Sequence, residues 1–306
     1  MAINGVLRPG FVQIRVLDMP KALEHYIDRV GLHKVTTGID GRVYLKSEDE
    51  FDHHSIVLRE SDEAGIDLLA FKVASEADIE KYTKSISDYG YAVDHVPASE
   101  QPGIGRRIGF QIPSGHRIEL YAHADLSDPR PATQNPDIWI ADPHGMAPQR
   151  FDHVLLYGPD IDKCSDFFHT VLGFKLTEDI VKDGEQIAVW LSCSMKAHDL
   201  AFVKHPEPGK LHHISFMLED WDAVGHAADI MARYDISIDV GPTRHGVTRG
   251  QTIYFFDPFG NRNEVYAGGY QFYPDNPVRH WDADQIGKAI FYYERKLNDA
   301  FLTVLT

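Results

Sequence analysis

The chain carries one pattern twice. Residues 11–122 return as residues 151–267, so the folding unit must be one that can be built, packed and closed in duplicate. Phe11-Val12-Gln13 lies against Phe151-Asp152-His153, and each opens a short β-rich run. Both runs turn, at Asp18-Met19-Pro20 and at Gly158-Pro159-Asp160, into helix-like segments over 21–30 and 163–172. Gly31 and Gly173 stop them, as glycine does at helix C-termini. Further on, Leu68-Leu69-Ala70-Phe71 matches His213-Ile214-Ser215-Phe216, and the segment ending in Glu119 matches the one ending in Glu264, both at an offset of 145. Second helices are expected at 74–89 and 219–234, each leading to a hairpin. The order β, α, several β, repeated within each copy, predicts an α+β fold with mixed sheets rather than a doubly wound parallel sheet.

The 306 residues suit about two domains. The expected division is 1–135, a linker at 136–150 in the proline-rich stretch 123–150, a second domain at 151–270, and a tail at 271–306 with a helix over 283–297. A formal net charge of −16 argues against nucleic acid and anionic membranes as partners, because both would repel this surface. No apolar run reaches the ~18 residues of a membrane span. The start MAINGVLRPG lacks the apolar core of a secretion signal, and only Cys164 and Cys193 are present. A cytoplasmic location is expected, with both thiols acting as small buried hydrophobes.

The two copies differ where a cation would sit. The second copy has His153, His213 and Glu264, and the first has Gln13, Leu68 and Glu119 at the matching places. Two imidazoles and a carboxylate form the facial triad of non-haem Fe(II), which leaves positions open for substrate and dioxygen, and Mn(II) fits the same set. Of the adjacent pair His212-His213, alternation along a strand sends one residue inward and the other outward. Matching Phe71 with Phe216 pairs His213 with apolar Leu68 and His212 with polar Asp67, so His213 is read as inward and His212 as outward. His53-His54, in the half without ligands, reads as surface or structural.

A hairpin turning at Asp257-Pro258-Phe259-Gly260 sets Tyr254 opposite Glu264, so the phenol is expected to border the substrate. An acid-base group near neutral pH calls for histidine. His198 and His245 lie between the ligand strands, although spacing alone leaves them level with His205 and His226.

The strings FDHVLLYG, SMKAHDLAF, LHHISF, GPTRHGVTRGQTIYFFDPFGNRNEVY and QIGKAIFYYERKLNDAFLTVL, with the opening RPGFVQIRVLDMPKALEHY, resemble the catechol 2,3-dioxygenase (metapyrocatechase) family, type I extradiol dioxygenases of the vicinal oxygen chelate superfamily. The resemblance runs from about residue 5 to 306. It implies four βαβββ modules in two domains with a working site only in the second, a homotetramer, and a C-terminal tail that helps close the pocket. His153, His213 and Glu264 look like the iron ligands, His198 like the acid-base histidine, and His245 and Tyr254 like the groups that hold the catecholate. Met195 and Met217 depart from the family pattern and are expected to reshape the pocket, which Val247, Thr248, Ile290 and Phe301 are expected to line. The implied reaction is extradiol cleavage of catechol by dioxygen to 2-hydroxymuconic semialdehyde. The alternatives are cleavage of a larger catechol such as 2,3-dihydroxybiphenyl, a glyoxalase-like metal isomerase using Gln13, Glu119, His153 and Glu264, and a metal-free sequestering protein.

Overall fold

The computed structural model describes residues 5–138 and 143–306, so residues 139–142 of the expected linker lie outside the described residues. The first half runs β1 (Val6–Val16), α1 (Met19–Leu23), β2 (His33–Thr37), β3 (Val43–Lys46), β4 (Ile56–Glu60), β5 (Gly65–Val73), α2 (Glu76–Tyr89), β6 (Asp94–Val96), β7 (Arg107–Gln111) and β8 (Arg117–Tyr121). The α1 helix continues as a π-helix over Glu24–Arg29. The second half repeats the order as β9 (Arg150–Gly158), α3 (Ile161–Thr170), β10 (Lys175–Lys182), β11 (Glu185–Ser192), β12 (Leu200–Lys204), β13 (Lys210–Met217), α4 (Trp221–Arg233), β14 (Ile238–Arg244), β15 (Gly250–Phe256) and β16 (Arg262–Gly268). The tail adds β17 (Arg279–Asp282), α5 (Ile286–Ile290) and α6 (Asp299–Thr303).

Each half is therefore two βαβββ modules joined edge to edge. The strand orders are β2-β3-β4-β1-β5-β8-β7-β6 and β14-β15-β16-β13-β9-β12-β11-β10-β17, with antiparallel β1/β5 and β9/β13 contacts at the module junctions. This is the vicinal oxygen chelate architecture, and the α+β expectation with mixed sheets holds.

Strand periodicity decides what each sheet face carries, because successive side chains point to opposite sides. On β9, Val154 and Leu156 join the helix-covered core, while His153, Leu155 and Tyr157 face the concave side. On β16, Val265 and Ala267 join that core, and Glu264 and Tyr266 face inward. Both faces are buried, so the strands read as near-continuous apolar runs broken only where chemistry sits.

The helices cap as their sequences dictate. Asp18 accepts from Lys21 N at 3.0 Å, Ser75 caps α2 and Asp220 caps α4 through Ala223 N. Gly31 and Gly173 take left-handed φ values of 96° and 78°, as expected after helix ends. The helix-covered core is continuous between the halves, and the packing is reciprocal. Phe167, Phe168 and nearby Phe174 meet Phe71 and Phe110 of the first sheet, whereas His25 and Tyr26 of the π-helix reach Phe255, Asp257 and Asn263 of the second.

Three expectations are corrected here. The tail helix over 283–297 is not one helix. A short 3-10 turn at Ala283–Gln285 leads into α5, and Phe291 leaves helical geometry at φ −122° and ψ 92°. Phe291 packs there with Tyr254 and Phe301. His212 is not outward to solvent either, being only 1% exposed. A register shift between Leu211 and His213 breaks the alternation, and the tail covers what remains. Of the two cysteines, Cys164 is buried as expected but Cys193 only partly so.

Candidate active site

Three neighbouring strands bring His153 (β9), His213 (β13) and Glu264 (β16) together. Ser215 of the middle strand pairs with His153 on one side and Glu264 on the other, so the flanking residues are level. Glu264 Oε2 lies 2.9 Å from His153 Nε2 and 3.4 Å from His213 Nε2, and the two imidazole nitrogens are 3.4 Å apart. All three residues are buried, and their ligand atoms lie within 4.8 Å of one another.

The electrostatics fit a cation. Glu264 Oε2 is buried with no aligned hydrogen-bond donor, although its acceptor lone pairs face two imidazoles. Burial opposes ionisation of this carboxyl, but His153 and the neighbouring histidines outweigh it and hold Glu264 well below the usual carboxylate range. Burial likewise opposes a charge on His153, and Glu264 and Asp152 overcome it, raising its pKa. His213 is pushed well down by burial, and therefore offers a neutral imidazole. A bound divalent ion would take the place of the proton that His153 otherwise holds for Glu264. The donor set is two imidazole nitrogens and one carboxylate oxygen, which suits Fe(II) or Mn(II).

Each of the three candidate ligands has its own support. Asp152 Oδ2 accepts from His153 Nδ1 at 2.9 Å, His212 Nδ1 is 2.7 Å from His213 Nδ1, and Thr252 donates its hydroxyl to Glu264 Oε1 at 2.6 Å. His212 in turn donates from Nε2 to the Phe301 carbonyl at 2.9 Å, which joins the tail to the second ligand strand. Repeat matching pointed to neither Asp152 nor Thr252, although each differs between the copies and so was open to detection.

The other expected groups surround the same cavity, which has a volume of about 210 Å³. The β15/β16 register sets Tyr254 opposite Glu264 with no bulge. The Tyr254 hydroxyl is 2.9 Å from His245 Nε2, and His245 Nδ1 bonds the Ile290 carbonyl. Burial, reinforced by Glu264, raises the Tyr254 pKa well above normal and keeps the phenol protonated. His198 lies against His153, with ring centroids 3.9 Å apart. Burial first, then His153, drives its pKa well below the ordinary histidine value.

Val247, Thr248, Ile290 and Phe301 all line the cavity, as do Leu155, Ile180, Trp190 and Tyr266, which sequence reasoning did not single out. Met195 and Met217 do not. They line an adjoining cavity of about 670 Å³ between the halves, which shares His198 and Tyr266 with the small pocket. His205 and His226 are absent from the cavity wall.

The isomerase alternative needs Gln13 and Glu119 free to bind metal. Gln13 instead bonds Asp67 at 2.8 Å, and Glu119 is held by Arg107 at 2.6 Å and Arg117 at 2.8 Å. His54 is buried among Phe11 and Tyr44 with Nε2 on Gln101, a structural placement.

Comparisons with known proteins identify the family. Residues 150–265 match the glyoxalase/bleomycin resistance protein/dioxygenase superfamily, and residues 66–125 match the catechol 2,3-dioxygenase-like N-terminal domain. The chain is 49% identical over 305 residues to a metapyrocatechase of Pseudomonas sp. (strain CF600), covering 99% of both chains. It is 27% identical to a manganese-dependent 2,3-dihydroxybiphenyl 1,2-dioxygenase of Geobacillus genomosp. 3, over 93% of this chain and 92% of the relative. Among solved structures, a 2,3-dioxygenase from Pseudomonas sp. KL28 superposes with a TM-score of 0.90 at 46% identity, covering 92% of this chain and 99% of that one.

Proposed function

Since the chain belongs to the catechol 2,3-dioxygenase (metapyrocatechase) family, we propose that His153, His213 and Glu264 hold the metal and that His198, His245 and Tyr254 handle the substrate. The enzyme cleaves catechol beside its two hydroxyls with dioxygen to give 2-hydroxymuconic semialdehyde. One observation carries the site assignment: two imidazole nitrogens and a carboxylate oxygen converge, buried, at a cavity that also presents the other three groups.

His153, His213 and Glu264 would hold the metal, Fe(II) in this proposal with Mn(II) fitting the same ligands, which would supply Lewis-acid and redox chemistry for catechol and dioxygen. The protein's own part is proton handling and orientation. His198 lies against His153 with a neutral imidazole, placed to accept a proton from an incoming catechol hydroxyl, and its lowered pKa favours the return of that proton as the ring opens. Tyr254 stays protonated and donates to a catecholate oxygen. His245, oriented by the Ile290 carbonyl, completes the pair. The apolar wall of Leu155, Trp190, Val247, Ile290 and Phe301 excludes water and strengthens these hydrogen bonds.

A cavity of about 210 Å³ is below the roughly 300 Å³ at which pockets for drug-sized ligands begin. That size favours single-ring catechols over a diaryl substrate. A homotetramer, from the family resemblance, a division at 136–150 into two domains, from the proline-rich stretch, and a cytoplasmic location, from the N-terminal sequence and the two cysteines, belong to the same proposal. No helix among the described residues is long and apolar enough to cross a membrane.

The test is oxygen uptake by iron-loaded protein given catechol, with the yellow ring-opened product followed by absorbance. Uptake with stoichiometric yellow product is expected. A colourless mixture without oxygen uptake, at full iron occupancy, overturns the reading. His198→Phe is expected to retain metal and lose turnover, and full turnover at saturating oxygen would remove His198 from the proton path.

A further inference from the structure

Asp152 is a buried carboxylate, and apart from the partly exposed Arg150, whose Nε is 3.5 Å from Oδ1, its partners lead toward the site. Its Oδ2 takes the His153 Nδ1 proton at 2.9 Å. Its Oδ1 and its backbone carbonyl receive the Lys196 ammonium, with Nζ 3.1 Å from Oδ1. Lys196 also reaches Asp199 Oδ1 at 3.0 Å. Asp199 Oδ2 then gathers the backbone N–H groups of Cys193 and Ser194 at 2.9 and 3.0 Å, and the Ser194 hydroxyl at 2.9 Å. Asp199 and the loop it organises thus stand on either side of His198. A single chain of charged contacts runs from a ligand imidazole to the backbone around the acid-base histidine.

The first half supplies the contrast. Phe11-Val12-Gln13 stands where Phe151-Asp152-His153 stands, so the copy without the imidazole has valine in place of the carboxylate. A carboxylate kept for packing alone would gain nothing from its histidine neighbour. Burying it costs several kcal/mol unless it is paired, and the apolar Val12 avoids that cost.

We infer that Asp152, clamped by Lys196, is the positioning residue for His153, and that the same clamp sets the ligand in register with His198. The inference rests on the proposal that His153 binds metal. A carboxylate on Nδ1 fixes the tautomer that presents Nε2 to the ion and makes the imidazole a stronger donor. Lys196 keeps Asp152 from rotating away, and through Asp199 it keeps the His198 loop at a set distance from His153.

The experiment uses metal-free full-length protein titrated with Mn(II) alone, free Mn(II) being read by electron paramagnetic resonance and folding by thermal melts. Asp152→Asn is expected to weaken Mn(II) binding about tenfold and Asp152→Val up to about 100-fold, with metal-free melting close to wild type. Lys196→Met leaves Asp152 in place, so it is expected to weaken Mn(II) less and to lower kcat for catechol with little change in KM, and Lys196→Arg is expected to restore kcat. Wild-type affinity in both Asp152 variants overturns the inference, as does a Lys196→Met variant with wild-type kcat. If an Asp152 variant fails to fold, the Lys196 pair decides. Failure of the wild type itself to bind Mn(II) counts instead against the metal-site proposal.

Discussion

In the first half, the carboxylate of Glu119 meets the guanidinium of Arg107; in the second, the carboxylate of Glu264 at the equivalent place meets imidazoles and the hydroxyl of Thr252. Arg107 and Thr252 share the offset of 145, and each pairs across its hairpin with a tyrosine, Tyr121 or Tyr266. The concave side of the first sheet is packed with Phe11, Tyr44, Leu68 and Tyr121, where the second keeps a cavity. A buried carboxylate needs a positive partner. One half builds that partner into the chain, and the other keeps a cavity at the place proposed for a cation. At the positions of Gln13 and Leu68, where the second half has histidines, the first half fills both the space and the charge.

The contrast can be broken most severely by moving the guanidinium across. Thr252→Arg is expected to fill the cation's place, so that metal content falls to background and oxygen uptake with catechol drops by at least about 100-fold, the upper range for losses from outer-shell changes alone. The variant should melt no lower than metal-free wild type, and full metal occupancy would show that Arg107 is no stand-in for a cation. The reverse exchange, Arg107→Thr, leaves Glu119 with Arg117 only. It is expected to cost about 3 kcal/mol in denaturant unfolding, the size seen when one partner of a buried pair is removed.

A pH series sharpens the contrast further. Burial, then His53, lowers the His54 pKa to about 3, so this ring folds neutral and the unfolded chain binds its proton first. Its stabilising effect is complete above pH 6.5 and drains away as pH falls toward 3, at up to about 1.4 kcal/mol per pH unit. His54→Gln is expected to flatten the fall in stability of metal-free protein between pH 6 and 4 by that slope. An unchanged slope would mean that His54 is accessible to protons in the folded state. The smallest effect is expected from Tyr26→Phe. This change removes the hydroxyl that donates to Asp257 Oδ2 at 3.1 Å and should cost about 1 kcal/mol with catechol turnover nearly intact.

Much of this arrangement was legible from residues alone, because duplication supplies an internal control. Comparing the copies isolates His153, His213 and Glu264 against Gln13, Leu68 and Glu119. A two-residue strand period then places Tyr254 across from Glu264, and the turn at Asp257-Pro258-Phe259-Gly260 keeps that register. What escaped reading depends on tertiary context. The periodicity of 283–297 is that of a helix, but Phe291 is worth more in the pocket beside Phe301 than in a continued helical turn. His212 sits at a register shift that no alternation rule anticipates, and the tail that buries it is nearly 90 residues away in sequence, at Phe301. The Lys196 link between Asp152 and Asp199 joins residues whose separation carries no period.

The exchange of aromatic contacts between the halves has a consequence for how the molecule comes apart. Phe167 and Phe168 of α3 bury themselves against the first sheet, and His25 and Tyr26 of the π-helix are bonded to the hairpin that ends in Glu264. Neither sheet keeps a complete covering layer once the other unravels. Unfolding should therefore be cooperative over the whole chain, a single transition by calorimetry with matching van't Hoff and calorimetric enthalpies. On that view each half completes the folding of the other.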